Sequence, residues 1–140
     1  MTHIYRIETS KGGGLYNSEL GRLQKILGQH LSRKDSSRFY RHPCPEDDCA
    51  LDWHEIQEKT FIINGRYYKK EHWYFGVKTL KEVNNWVFRK KYRKVLADLG
   101  FVINKYKIDD EYYRKGSYQV VFIKALATLI ETRRLDYNDT

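Results

Sequence analysis

The chain has 140 residues, the length of one ordinary domain, and its 41% of hydrophobic residues with 15% aromatics exclude an intrinsically disordered protein. Lys and Arg number 26 against 18 Asp and Glu, which gives a net charge of +8. This excess of positive charge favours an anionic partner.

Signals for membrane insertion, export and the common enzyme chemistries are missing from the sequence. No run of about 18 apolar residues occurs, and the first residues form neither a signal peptide nor a transit peptide. Phosphate-binding loops and the motifs of zinc proteases and α/β-hydrolases are also missing. We therefore expect a cytoplasmic protein that does not bind membranes.

The first part of the chain predicts a strand, a helix and a long loop. Side chains alternate over His3–Glu8, which predicts a strand with mixed faces. Apolar residues at helical spacing predict a helix over Asn17–Leu31, with the asparagine as its N-cap. The stretch at about 32–55 has no sustained period, so we predict a single domain over 1–140 with a long irregular loop there.

The strongest local signal in the sequence is a β-hairpin. Asn64-Gly65 separates the β-prone runs Thr60–Ile63 and Arg66–Tyr68. A two-residue type I′ turn needs positive φ at both central residues, which Asn and Gly tolerate best. A further strand is predicted over Trp73–Val77.

The remaining residues predict a helix, two strands and a closing helix. Thr79 and Glu82 have the spacing of a capping box, and apolar residues follow helical spacing from there to about Leu99, before a C-cap at Gly100. The later predicted elements are strands over Phe101–Ile108 and Tyr118–Ile123 and a helix over Ala125–Leu135. The mixed order and the hairpin predict an α+β fold with a predominantly antiparallel sheet and two or three helices.

Basic residues are concentrated between residues 66 and 94, where ten Lys and Arg stand against two acids. Cations late in the predicted helix complement the negative end of its dipole, so a solvated helix face and a phosphate-contacting surface both remain open. Aromatic residues among these bases either face the core or stack on unpaired nucleobases. The candidate partner-binding residues are Arg66, Lys69, Lys70, Arg89, Lys90, Lys91, Arg93 and Lys94.

A cluster of potential zinc ligands lies in the predicted loop. Two thiols and two imidazoles occur within thirteen residues, and four such ligands can close a tetrahedral zinc site. The tight Cys-x2-Cys clasp is missing, so free thiols and a zinc-stabilised interaction module are both open interpretations. The candidate metal ligands are His42, Cys44, Cys49 and His54.

Three segments together resemble the ADP-ribosyltransferase superfamily: Arg6 in the first strand, Phe75–Thr79 where a strand enters a helix, and Tyr118–Phe122 in a late strand. The resemblance implies an ADP-ribosyltransferase-like fold that uses NAD. In it, Arg6 would hold a phosphate or ribose, Thr79 would order the site, and Gln119 would occupy the position of the catalytic glutamate. A neutral glutamine keeps a hydrogen bond to the ribose but lacks the charge that stabilises an oxocarbenium.

Short motifs over most of the chain are also similar to a family of small bacteriophage proteins. These motifs are Ile4-Tyr5-Arg6, His42-Pro43-Cys44-Pro45, Phe75-Gly76-Val77-Lys78-Thr79 and Gln119-Val120-Val121-Phe122. The resemblance implies an accessory protein in the host cytoplasm, with a role against bacterial defence. Our leading hypothesis is therefore a protein that binds a host nucleoprotein, a nucleic acid or a nucleotide through a basic surface, and an NAD-using transferase is the alternative.

Overall fold

A computed structural model of the chain describes residues 1–9, 53–86, 90–117 and 119–135. Within these ranges the chain forms eight strands and three α-helices, and all paired strands are antiparallel. The predicted α+β class is therefore confirmed. The helix predicted over Asn17–Leu31 and most of the predicted loop lie outside the described residues.

The described elements are numbered in chain order. The helices are α1 (Trp53–Glu58), α2 (Leu80–Trp86) and α3 (Lys90–Asp98). The strands are β1 (Thr2–Glu8), β2 (Phe61–Ile63), β3 (Arg66–Tyr68), β4 (Trp73–Gly76), β5 (Val102–Ile108), β6 (Tyr113–Lys115), β7 (Val120–Ile123) and β8 (Thr128–Arg134). Three short 3-10 turns cover Lys70–His72, Asp110–Tyr112 and Lys124–Leu126.

The strands form two three-stranded sheets and a separate hairpin. The β1 sheet has the order β1-β5-β8, the β7 sheet has the order β4-β7-β6, and β2 pairs with β3. Tyr5 and Val77 join the two sheets, because each donates its backbone N–H to the carbonyl of the other at 2.7 and 2.9 Å. A β-bulge in the pairing of β5 with β8 leaves Ile130 without a register partner.

The central strand β7 is buried on both faces. Its alternate side chains point to opposite faces of the sheet and so enter two separate hydrophobic clusters. Val121 and Ile123 pack with Ile56 of α1 and with Tyr68 of the hairpin. On the opposite face, Val120 and Phe122 pack against a cluster of the β1 sheet that includes Ile4, Tyr106 and Ile108. The β7 sheet is therefore the middle layer, between the β1 sheet on one side and α1 with the hairpin on the other.

The hairpin has the turn that its sequence predicts. Asn64 and Gly65 have φ values of 53° and 78°, the left-handed conformation that a type I′ turn requires. Phe61 pairs with Tyr68 across the two strands, and the Phe61 ring lies 5.2 Å from the Trp73 ring, so the inner face of the hairpin is held against the core.

Both predicted ends of the long helix are confirmed. The Thr79 hydroxyl accepts a hydrogen bond from the Glu82 backbone N–H at 3.2 Å, as an N-cap does. Gly100 has φ of +95°, and the N–H of Phe101 donates to the carbonyl of Leu96 at 3.0 Å, which is the Schellman ending of a helix. The described parts between these ends are α2 and α3.

Two sequence predictions about secondary structure are wrong. The closing helix over Ala125–Leu135 is instead a 3-10 turn followed by β8, because Thr128, Ile130 and Thr132 are β-branched and the segment pairs with β5. The other error is the omission of a helix at α1, since the chain is helical from Trp53 onward, at the end of the loop predicted at about 32–55. In addition, β6 had no counterpart among the predicted elements.

In the parts of the chain that the structure describes, no helix has the length and apolar composition needed to cross a bilayer.

The two sheets come so close together that one glycine has no room for a side chain. A Cβ on Gly76 would lie 2.5 Å from Ile4 Cγ2 and 2.8 Å from the Tyr5 carbonyl oxygen. The carbonyl cannot move aside, because Tyr5 is held by its two backbone hydrogen bonds to Val77. The junction of the two sheets therefore requires glycine at this position.

We predict that Gly76→Ala lowers the free energy of unfolding by about 1–3 kcal/mol, because the added methyl group overpacks the junction. Urea denaturation followed by circular dichroism measures this change. At a glycine with free space for a methyl group, the same substitution would stabilise the protein by about 0.4–1 kcal/mol, because alanine lowers the conformational entropy of the unfolded chain. A midpoint that is unchanged or raised would therefore contradict the close packing at Gly76.

Candidate functional site

Arg6, the residue that the transferase resemblance places on NAD, connects β1 to β4. Its Nε donates to Glu8 Oε2 at 3.0 Å, and its Nη1 donates to the Phe75 carbonyl at 2.8 Å. Its guanidinium carbon also lies 5.0 Å from the centre of the Tyr74 ring. An NAD phosphate could bind Arg6 only by competing with these contacts.

The other two residues of that resemblance differ in their surroundings. Thr79 is exposed and caps α2, which is a sufficient structural role. Gln119 is buried, directly before β7. The pairing of Gly76 with Val120 and the bridge from Tyr5 to Val77 bring the segments of Arg6 and Gln119 to one junction.

A buried carboxylate that sequence reasoning missed lies beside Arg6. Glu8 is 1% exposed, and each of its two carboxylate oxygens accepts two hydrogen bonds. Oε1 accepts from Asn104 Nδ2 at 2.6 Å and from the Tyr106 hydroxyl. Oε2 accepts from Lys124 Nζ at 2.6 Å and from Arg6 Nε. We call these five side chains the Glu8 cluster.

The Glu8 cluster holds its members in defined protonation states. Burial alone raises the pKa of Glu8, but the hydrogen bonds from Lys124, Tyr106 and Asn104 outweigh burial and bring this pKa below its ordinary value. Burial, followed by the hydrogen bond to Glu8, raises the pKa of Tyr106. Glu8 is therefore ionised at neutral pH and Tyr106 remains a neutral donor.

The Glu8 cluster stabilises the fold and leaves no acceptor of Glu8 free for a substrate. Its members come from β1, β5 and the turn before β8, so it connects three separate parts of the chain. A sequence signal existed: Arg6 with Glu8, and Asn104 with Tyr106, each stand two residues apart on a strand and therefore share a face. The sequence did not show that these two faces meet.

The predicted zinc site is only partly within the described residues. His54 lies on α1, exposed, with its Nδ1 3.9 Å from Glu58 Oε1. His42, Cys44 and Cys49 lie outside the described residues. Among the residues that are described, no three His, Cys, Asp or Glu side chains are grouped so that they could hold a metal ion.

One of the predicted partner-binding residues, Arg93, is buried. Arg93 is 1% exposed, because it stands three residues before the buried Leu96 on the inward face of α3. Its guanidinium is therefore not part of a surface that a partner can contact. Lys94, the next residue, is exposed. Arg89 and the side chains of Lys90 and Lys91 lie outside the described parts of the structure.

The other three predicted partner-binding residues form an exposed basic surface on the hairpin. Arg66, Lys69 and Lys70 are all exposed. Two large apolar side chains stand beside them: Ile62 and Tyr67 are cross-strand partners, and each is 65% exposed. We call these five residues the hairpin surface.

The cations of the hairpin surface have no carboxylate partner among the described residues, a feature that they share with other exposed lysines such as Lys81 and Lys107. Within the described ranges, no acid lies within 4.0 Å of Arg66, Lys69 or Lys70. In contrast, described ion pairs hold Lys59 and Arg114 to Glu55, Arg133 to Glu131, Arg134 to Asp98, and Lys124 to Glu8. Glu71 is the one acid in the adjoining turn, so the hairpin surface keeps a positive charge that an anion can neutralise.

Comparison with known proteins identifies one similarity. The chain matches the family described as Bacteriophage T4 Y00F protein over residues 1–136. No curated protein and no solved structure matches the chain. The resemblance to the ADP-ribosyltransferase superfamily receives no support from these comparisons.

We predict that Glu8→Gln destabilises the protein at pH 7 by about 3 kcal/mol, because two partly buried cations, Arg6 and Lys124, lose their counter-charge. The pKa of Glu8 is lower in the folded than in the unfolded state, so its stabilisation is complete above the unfolded value of about 4.3 and is lost as pH falls through the folded value. The difference between variant and wild type should therefore shrink in acid. Urea denaturation at several pH values measures it.

The matched control for that experiment is Glu58→Gln. Glu58 is exposed on α1, where its contact with His54 is a surface ion pair of little energetic value. We expect the stability of Glu58→Gln to equal that of the wild type at every pH. Equal effects of the two substitutions would contradict a stabilising role for the Glu8 carboxylate.

We also predict that Tyr106→Phe lowers the free energy of unfolding by about 2 kcal/mol, because the Glu8 carboxylate loses a buried donor. Tyr67→Phe makes the same chemical change on an exposed ring and should leave stability unchanged. Thermal or urea denaturation of the two variants compares them directly. Equal stability of both variants would exclude the hydrogen bond as a source of stability.

Proposed function

The chain belongs to the bacteriophage T4 Y00F protein family, and we propose that it is a phage accessory protein that binds a polyanion through the hairpin surface. The observation that carries this proposal is the set of three exposed cations, Arg66, Lys69 and Lys70, without a carboxylate partner among the described residues. The partner classes that fit are a nucleic acid, a nucleoprotein of the host or a nucleotide, and the place of action is the host cytoplasm.

The hairpin surface has a fixed geometry, which supports a binding role. Tyr68 is buried, so β3 is anchored to the core next to the exposed Tyr67. The Lys69 backbone N–H donates to His72 Nδ1 at 2.8 Å, which holds the turn that contains Lys70. Binding therefore has a small cost in backbone entropy, because the backbone that carries the cations is already ordered.

Electrostatics decide the strength of such an interface. Three lysine or arginine contacts with phosphates release about three counterions from duplex DNA, so binding should weaken steeply as salt rises. The Glu8 cluster cannot take this role, because both of its cations already share one buried carboxylate. Arg66, Lys69 and Lys70 are exposed and lie close together in the chain, which favours the hairpin surface for binding a polyanion.

We predict that the triple variant Arg66→Gln, Lys69→Gln, Lys70→Gln weakens binding to labelled DNA about ten-fold or more at low salt. The slope of log affinity against log salt should fall by about 2–3, because three phosphate contacts are lost. Fluorescence anisotropy measures both quantities.

The matched control removes the same charge from other places. Lys81, Lys107 and Lys115 are exposed, so changing all three to Gln leaves the hairpin surface intact. We expect this control to reduce the affinity much less than the hairpin variant does. Equal losses would show that net charge rather than the hairpin surface determines binding, and failure of the wild type to bind DNA or heparin would overturn the proposal.

A further inference from the structure

The hairpin surface contains an exposed aromatic ring that a purely electrostatic interface would not need. Tyr67 and Ile62 face away from the core, because the alternating residues Phe61, Ile63 and Tyr68 are turned towards it. Large apolar side chains exposed together beside cations are typical of a binding surface. The ring therefore indicates a partner with apolar groups as well as negative charge.

Several described aromatic rings have a cation over one face, whereas the Tyr67 ring has none among the described residues. Within the described residues, cations lie over Phe61, Tyr74, Tyr113 and Tyr5. No described cation or aromatic ring contacts Tyr67. With 65% of its surface exposed, the Tyr67 ring is accessible to a partner outside the chain.

The backbone places a cation on the same side as that ring. Lys69 follows β3 directly and has φ −111° and ψ −178°, so the extended conformation continues through it. Residues two apart on an extended chain point to the same side, about 7 Å apart. A group stacked on Tyr67 and a negative charge held by Lys69 could therefore belong to one partner.

We infer that the partner of the hairpin surface is single-stranded nucleic acid, with an unpaired base stacked on Tyr67 and an adjoining phosphate held by Lys69. This inference rests on the proposed function and makes it more specific. Single strands expose the faces of their bases, whereas in a duplex these faces are stacked and inaccessible. Ile62 adds an apolar contact at the edge of the stacked base.

The test compares Tyr67→Leu with Tyr67→Trp in binding to labelled oligo-dT, oligo-U, duplex DNA and heparin. Leucine keeps an apolar side chain but lacks an aromatic face, whereas tryptophan keeps an aromatic face. We expect Tyr67→Leu to lose about five-fold or more in affinity for the single strands, because stacking on one base is lost. Its affinity for duplex and heparin should stay the same, and Tyr67→Trp should bind single strands at least as well as wild type.

A fluorescence readout gives independent evidence. The Tyr67→Trp substitution adds tryptophan fluorescence at this position. When oligo-dT binds, stacking of a base on the new ring should quench this fluorescence, whereas heparin should cause no such quenching. Because Tyr67 is exposed, all variants should unfold at the same urea concentration as wild type. Oligo-dT and oligo-U bind alike if the ring reads only the face of the base.

The outcomes separate this inference from the proposed function. If Tyr67→Leu binds single strands as wild type does while the triple cation variant is impaired, the surface binds polyanions without stacking and the inference is overturned. A wild-type preference for duplex or heparin over single strands would overturn it as well. If the triple cation variant binds normally, the proposed function itself fails.

Discussion

Burial of the Glu8 carboxylate is the constraint that organises the junction of the two sheets. A buried charge must be compensated, and here four donors from β1, β5 and the turn before β8 converge on its two oxygens. Arg6 extends this connection to β4 through the Phe75 carbonyl. The same contacts explain why Arg6, Glu8 and Lys124 serve the fold, and they leave the proposed binding role to cations at the surface.

Local turn and cap chemistry could be predicted from the sequence, whereas pairing over long distances could not. Asn64-Gly65, Thr79 and Gly100 act through their own backbone and nearest neighbours, and each has its predicted role. The segment after Ala125 has helical spacing of apolar residues, but pairing with β5 makes it a strand. Pairs of this kind, such as Val102 with Arg134, join residues from distant parts of the chain, which periodicity along one segment does not show.

In the candidate site too, local features could be predicted from the sequence and tertiary packing could not. Arg66, Lys69 and Lys70 could be named as candidates because basic residues are concentrated in this part of the sequence, and all three are exposed. Burial of Arg93 could have been predicted from its spacing to Leu96, but the run of basic neighbours concealed it. Since the β7 sheet is covered on both faces, its strands offer no free face, whereas the outer face of the hairpin carries the exposed Tyr67 ring with Lys69 on the same side.

The bulge in β8 has a consequence for how the protein behaves at high concentration. β8 is an edge strand, with no strand partner beyond β5 in the described ranges, and such an edge can recruit further strands and seed aggregates. The extra residue Ile130 distorts the register, and Glu131 and Arg133 place opposite charges along the same edge. An incoming strand would meet mismatched hydrogen-bonding groups and charges along β8, so the bulge disfavours the addition of another strand at this edge.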